Sequence, residues 1–132
     1  MPHSVRRSTH KKTSISHIVH VLFTLHITMK LYHWSTKSYA RHKASDEFIT
    51  SLLNMIDQFV ESYSGRYNKT PSINLISINM SDISDEQIIK VLLKAHYFLS
   101  HIEHYTKDSE LLAIRDELLV QVDKTLYLFR LM

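Results

Sequence analysis

The chain contains no cysteine, one glycine and two prolines among its 132 residues. Without cysteine there is no disulfide, no thiolate metal site and no cysteine nucleophile. Sheets and tight turns draw heavily on glycine and proline, so their scarcity points to long helices joined by few connections. No apolar run reaches the ~18 residues of a membrane span. The stretch Ile15–Leu31 comes nearest, and His17, His20, Thr24, His26, Thr28 and Lys30 interrupt it. The basic start lacks the apolar core and small-residue cleavage site of a secretory signal. A cytoplasmic protein is expected, in the host cytoplasm or a virion if the chain is viral. No serine sits in a Gly-x-Ser-x-Gly context, and no glycine loop is present to cradle phosphate.

Hydrophobic residues make up 44% and charged residues 22%, the balance of one soluble globular domain. The formal charge is +3, with ten histidines besides, and it is unevenly placed. Arg6, Arg7, Lys11 and Lys12 lie in a polar leader, and no acidic residue precedes Asp46. Residues 1–13 read as a disordered basic tail. Such an arm either keeps the chain soluble or holds phosphate backbones of DNA by counterion release.

Residues 14–132 read as an all-α, four-helix domain. Ile15, Ile18, Val19, Leu22, Leu25, Met29 and Tyr32 recur at helical spacing from Ser14 to Trp34. Phe48, Leu52, Met55, Ile56 and Phe59 form the stripe of a second helix over about 41–63, with Gly65 placed as its left-handed cap. Ser84 and Gln87 have the spacing of a capping box that opens a third helix, running to about Tyr105. Asp108 or Ser109 opens the fourth. Between the second and third helices, residues 68–83 break the pattern. Ile73, Leu75, Ile76, Ile78 and Met80 alternate there with polar residues, as an extended connection that spans ~50 Å. Two short links flanking one long crossover give the ferritin-type bundle topology.

His42 and Asp46 are four residues apart, as are Asp57 and Glu61, and Asp57 follows Asp46 by 11 positions. At 3.6 residues per turn all four fall within a sector of roughly 100°. Histidine and carboxylate are the ligands iron takes when thiolates are absent. The two pairs nevertheless stand ~15–17 Å apart along the axis, too far for one ion. A second helix, antiparallel about a two-fold near Ser51 and Leu52, brings His42 and Asp46 of one chain opposite Asp57 and Glu61 of the other. The plain alternative is a solvated helix face, on which such polar pairs are common. His33, beside Trp34 at the end of the first helix, is a further candidate ligand. The pairs His17/His20 and His101/His104 are weaker ones. No Glu-x-x-His occurs anywhere, which argues against a di-iron centre inside one bundle.

The run Lys30-Leu-Tyr-His-Trp-Ser-Thr-Lys-Ser-Tyr-Ala-Arg-His-Lys-Ala-Ser-Asp, with Leu53 to Glu61, resembles the Dps family of mini-ferritins. The carriers are His-Trp, then His-x3-Asp, then Asp-x3-Glu, on His33, Trp34, His42, Asp46, Asp57 and Glu61. Ile114-Arg-Asp-Glu-Leu-Leu and Lys124-Thr-Leu-Tyr-Leu look like an uncharacterised ferritin-like branch found in large DNA viruses and phages. The resemblance implies a ferroxidase that binds Fe2+ between two-fold-related subunits and oxidises it to Fe3+, typically with hydrogen peroxide, for iron sequestration. It implies catalytic and metal-binding roles for His33, His42, Asp46, Asp57 and Glu61, and a radical-trap role for Trp34. It also implies self-association as a dimer or a dodecameric cage. The alternative is a non-enzymatic structural or DNA-binding protein with a vestigial metal site, its DNA contacts made by Arg6, Arg7, Lys11 and Lys12.

Overall fold

The computed structural model describes residues 2–73, 76–78 and 82–131, with residues 2–14 as backbone alone. The side chains of Arg6, Arg7, Lys11 and Lys12, and the apolar positions Leu75 and Met80, lie outside the described residues. The described chain is all-α. The elements are four helices, α1 (Pro2–Ser35), α2 (Tyr39–Tyr67), α3 (Asp85–Ser100) and α4 (Ser109–Arg130), with a 3-10 turn at Ile102–His104 in the link between α3 and α4. None of the described helices is long and apolar enough to cross a membrane.

The apolar spacing decides which faces are buried. Ile18, Leu22, Met29 and Tyr32 of α1 meet Phe48, Leu52, Ile56 and Phe59 of α2, Ile88, Leu92 and Leu99 of α3, and Leu111, Leu118, Val122 and Phe129 of α4 in one core. Burying each such large side chain stabilises by about 1.5–3 kcal/mol before the entropy of ordering it is counted. Helix α1 packs on α2, α2 on α4, and α4 on α3.

The ends depart from the sequence reading in three places. Helical backbone runs from Pro2, ahead of the start expected at Ser14. Helix α2 continues through Gly65 to Tyr67, and Asn68 takes the left-handed cap with φ 53° and ψ 43°. Asn68 N–H donates to the Ser64 carbonyl at 2.8 Å. Asparagine tolerates that conformation because its side chain is short and polar. Gly65 has open space where a Cβ would stand and has no special backbone role. Helix α3 stops at Ser100, short of Tyr105. Its start is as expected: Gln87 N–H donates to Ser84 Oγ (3.1 Å) and Ser84 N–H to Gln87 Oε1 (2.8 Å).

Two polar fasteners mark the two ends of the molecule. At one, Arg41 donates to Tyr32 Oη (3.0 Å), the Asp85 carbonyl (3.1 Å) and the Phe129 carbonyl (2.7 Å), so one guanidinium joins all four helices. Tyr32 in turn donates to Asp85 Oδ1 at 2.6 Å. Burial and that hydrogen bond push the Tyr32 phenol above its ordinary value, against the neighbouring Arg41. At the other end, Arg66 pairs with Glu110 (2.9 Å) and Tyr67 donates to Asp108 (2.6 Å). Asp108 stands at the N-cap of α4, but its carboxylate is spent on Tyr67 and Arg66 and makes no capping bond.

Candidate metal centre

The short link between α1 and α2 brings His33, in the last turn of α1, against His42, in the first turns of α2. The two rings stack with centroids 3.9 Å apart and planes 17° from parallel. The clasp is reciprocal. His33 Nδ1 lies 2.9 Å from the His42 carbonyl, and His42 Nδ1 lies 2.9 Å from the His33 carbonyl. Carbonyls only accept, so both rings donate from Nδ1, and in its neutral form each ring then carries its lone pair on Nε2. A carbonyl bond of this kind orients histidine ligands in metal sites. His33 is 7% exposed and His42 is half-buried.

The carboxylates lie elsewhere on the same continuous helix. Asp46, Asp57 and Glu61 are all exposed. None forms an ion pair or a side-chain hydrogen bond among the described residues, whereas Asp85, Glu103, Glu110 and Asp123 all do. Helix α2 is continuous through this region, so Asp46 and Asp57 stand roughly 16 Å apart along it at 1.5 Å per residue. No group of three or more metal-ligating side chains occurs within one chain among the described residues. The chain thus brings His33 and His42 together and leaves the three carboxylates along the outward face of α2. Leu53, 42% exposed, lies among them. Trp34 is 67% exposed, with Lys30 Nζ 5.8 Å from its ring centroid.

Among the described residues the other histidines form no comparable centre. His17 stacks on His20 and packs against Phe98 and Tyr105, and His101 stacks on His104 with its Nδ1 2.7 Å from the Tyr97 carbonyl. Ser100, His96 and Asp123 have the connectivity of a nucleophilic relay, with contacts of 3.4 Å and 3.1 Å. The Ser100 hydroxyl is committed to the His96 carbonyl at 2.8 Å, however. The end of α3 also presents carbonyls, the wrong polarity for an oxyanion. A trough of about 330 Å³ between α1 and α3 is lined mainly by Val21, Leu25, Val91, Ala95 and Phe98, with Lys94 its single charged residue.

Sequence reasoning passed over Ser45, which is fully buried beside the clasp. Its hydroxyl donates to the His42 carbonyl (3.0 Å) and stands 3.0 Å from His33 Nδ1. Arg41, which ties the adjoining turn to the other helices, was equally unmarked. A serine or arginine on a helix carries no signal of such roles until the fold supplies its neighbours.

A family profile described as "Family of unknown function (DUF5856)" matches residues 33–129, from His33 of the clasp to Phe129 beneath Arg41. The chain belongs to the DUF5856 family. The clasp, the outward face of α2 and the Arg41 contacts with Asp85 and Phe129 fall inside the stretch matched by DUF5856, and Tyr32 of the fastener lies one residue before it. The chain is also similar to an uncharacterized 14.6 kDa protein from the mobD-ri intergenic region of Enterobacteria phage T4, at 51% identity over 43 residues. That match covers 31% of this chain and 34% of the phage protein, so the chain spans about a third of the length of the curated relative it matches. No solved structure matches.

Proposed function

We propose that the protein is a ferritin-like four-helix bundle that binds and oxidises iron(II) between two antiparallel copies of α2. The observation that carries this reading is the His33–His42 clasp: two stacked imidazoles that donate from Nδ1 to each other's carbonyls, on a chain whose Asp57 and Glu61 lie too far along α2 to join them. The bundle topology is supported by the fastener at Arg41. The first turns of α2 and α3 meet there, so the chain leaves α2 at one end of the molecule and enters α3 at the other, which is compatible with a ferritin-type topology.

In this reading iron is the substrate. His33 and His42 of one subunit, with Asp57 and Glu61 of its two-fold mate, hold the main ion, Glu61 bridging toward a second ion at Asp46. Imidazole and carboxylate together fit iron(II). Hydrogen peroxide takes one electron from each of two iron(II) ions and, with two protons, leaves as two waters and two iron(III) ions. Trp34 lies in sequence beside His33, where it can intercept a stray one-electron equivalent. The C2 arrangement makes two such sites per dimer.

The test adds iron(II) and a small excess of peroxide to the metal-free protein and follows iron(III) absorbance. Rapid saturable oxidation by the wild type, lost in Asp57→Asn/Glu61→Gln, is expected. Equal, slow oxidation by both proteins would remove the enzyme reading.

A further inference from the structure

The heavy-atom contacts around the clasp constrain where its protons lie. Both carbonyls are acceptors, so His33 Nδ1 and His42 Nδ1 are donors at 2.9 Å each. The Ser45 hydroxyl has one proton, directed to the His42 carbonyl at 3.0 Å. Its oxygen is therefore an acceptor toward His33 Nδ1, also at 3.0 Å. Ser45 is wholly enclosed, and His33 nearly so, which removes water as a competing partner. His33 thus has two acceptors on one nitrogen, and His42 has one.

We infer that Ser45 is a positioning residue that locks His33 as a preset Nε2 donor for a borderline first-row dication such as iron(II), cobalt(II) or zinc(II), rather than for magnesium or calcium. The inference rests on the metal-site reading above and adds to it the ion class and the residue that sets the ligand. An unrestrained neutral imidazole favours the Nε2–H form, which cannot ligate through Nε2. Holding the proton on Nδ1 removes that obstacle before the ion arrives. Two neutral imidazoles then select ions that accept nitrogen, while hard, oxygen-seeking ions gain little. His42, with a single acceptor and a more exposed side chain, is the looser ligand. The bland role for Ser45 is a helical serine returning its hydroxyl to a carbonyl three residues back. That role predicts a change in stability alone.

The experiment uses the full chain in two measurements. Long-range proton–nitrogen spectra of the histidine rings, recorded without metal at about pH 8, above the ordinary imidazole range, read each tautomer directly. Oxygen-free cobalt(II) titration then reads affinity. Wild-type His33 and His42 are expected as Nδ1–H, with cobalt(II) bound and not displaced by excess magnesium. In Ser45→Ala, the His42 carbonyl still holds the proton on Nδ1, but the ring loses its second anchor: the His33 ring resonances shift and cobalt(II) binds about tenfold more weakly, at the lower end of what loss of such a partner costs. Finding His33 as Nε2–H in the wild type, or unchanged ring resonances and affinity in Ser45→Ala, overturns the assignment of Ser45. His33 resonances that shift in Ser45→Ala in a protein that binds no cobalt(II) leave Ser45 its positioning role and remove the metal reading instead.

Discussion

Replacing Arg41 with methionine should cost about 3 kcal/mol of folding stability. The Arg41 side chain is 16% exposed, and its guanidinium lies 5.0 Å from the centre of the Phe129 ring. Its bond to the Phe129 carbonyl, 2.7 Å long, satisfies an acceptor in the last turn of α4 that has no partner within its own helix. A hydrogen bond to a charged group is worth about 1.5–3 kcal/mol, and the positive charge at a helix C-terminus adds about 0.3–1 kcal/mol. The bonds to Tyr32 Oη and the Asp85 carbonyl contribute less, because Tyr32 keeps its bond to Asp85 Oδ1 and Asp85 is exposed. The Arg41–Asp85 ion pair is 3.7 Å long with the Asp85 side chain 60% exposed, and pairs of that kind are worth about 1 kcal/mol or less. For a chain of this size the melting temperature should fall by about 10 °C in Arg41→Met. Asp85→Asn, which keeps an oxygen for Tyr32, should cost under about 1 kcal/mol. Urea and thermal unfolding of the two variants test this. An Arg41→Met protein that melts within 2 °C or so of the wild type, or an Asp85→Asn protein as impaired as Arg41→Met, would refute the claim that the Phe129 carbonyl is the main contact.

Two further predictions concern pH and the backbone. Burial and the adjacent Lys30 hold the His26 imidazole below its ordinary value. The unfolded chain therefore takes up a proton at His26 before the folded chain does, and stability falls as pH drops below about 6.5. His26→Gln should lose less stability between pH 7 and 5 than the wild type, by urea midpoint; an identical slope in both would show that other groups carry it. Asn68 holds a positive φ, so Asn68→Gly should be neutral, while Asn68→Val should cost about 1–2 kcal/mol. Equal midpoints for the two variants would mean that the cap relaxes.

The fold was legible where burial follows spacing. Ile18, Leu22, Met29 and Tyr32, or Ile88, Leu92 and Leu99, repeat every three or four residues because a helix presents one face, and those are the side chains the core encloses. Ser84 and Gln87 were legible because a capping box is local. Gly65 misled because glycine permits a left-handed cap without requiring one, and the helix ran on until Asn68. Asp108 was placed correctly at the head of α4, but Tyr67 and Arg66, far off in sequence, took its carboxylate. The candidate ligands His33, His42, Asp46, Asp57 and Glu61 stood out by residue type and periodicity. The clasp did not, since a stacked pair bonded through its own carbonyls depends on how tightly the chain turns between α1 and α2. The contact of Arg41 with Phe129, across 88 positions, lies beyond any local pattern.

In the proposed function each metal site draws its histidines from one subunit and its carboxylates from the other. The most direct measurement mixes two inactive variants, His33→Ala/His42→Ala and Asp57→Asn/Glu61→Gln, unfolds and refolds them together, and follows iron(II) oxidation by peroxide. A mixed dimer holds one complete site and one empty one, and random pairing makes half the dimers mixed, so about a quarter of the wild-type sites should return. Recovery near that level supports the shared site. Two variants that fold and pair but recover nothing on mixing would contradict it.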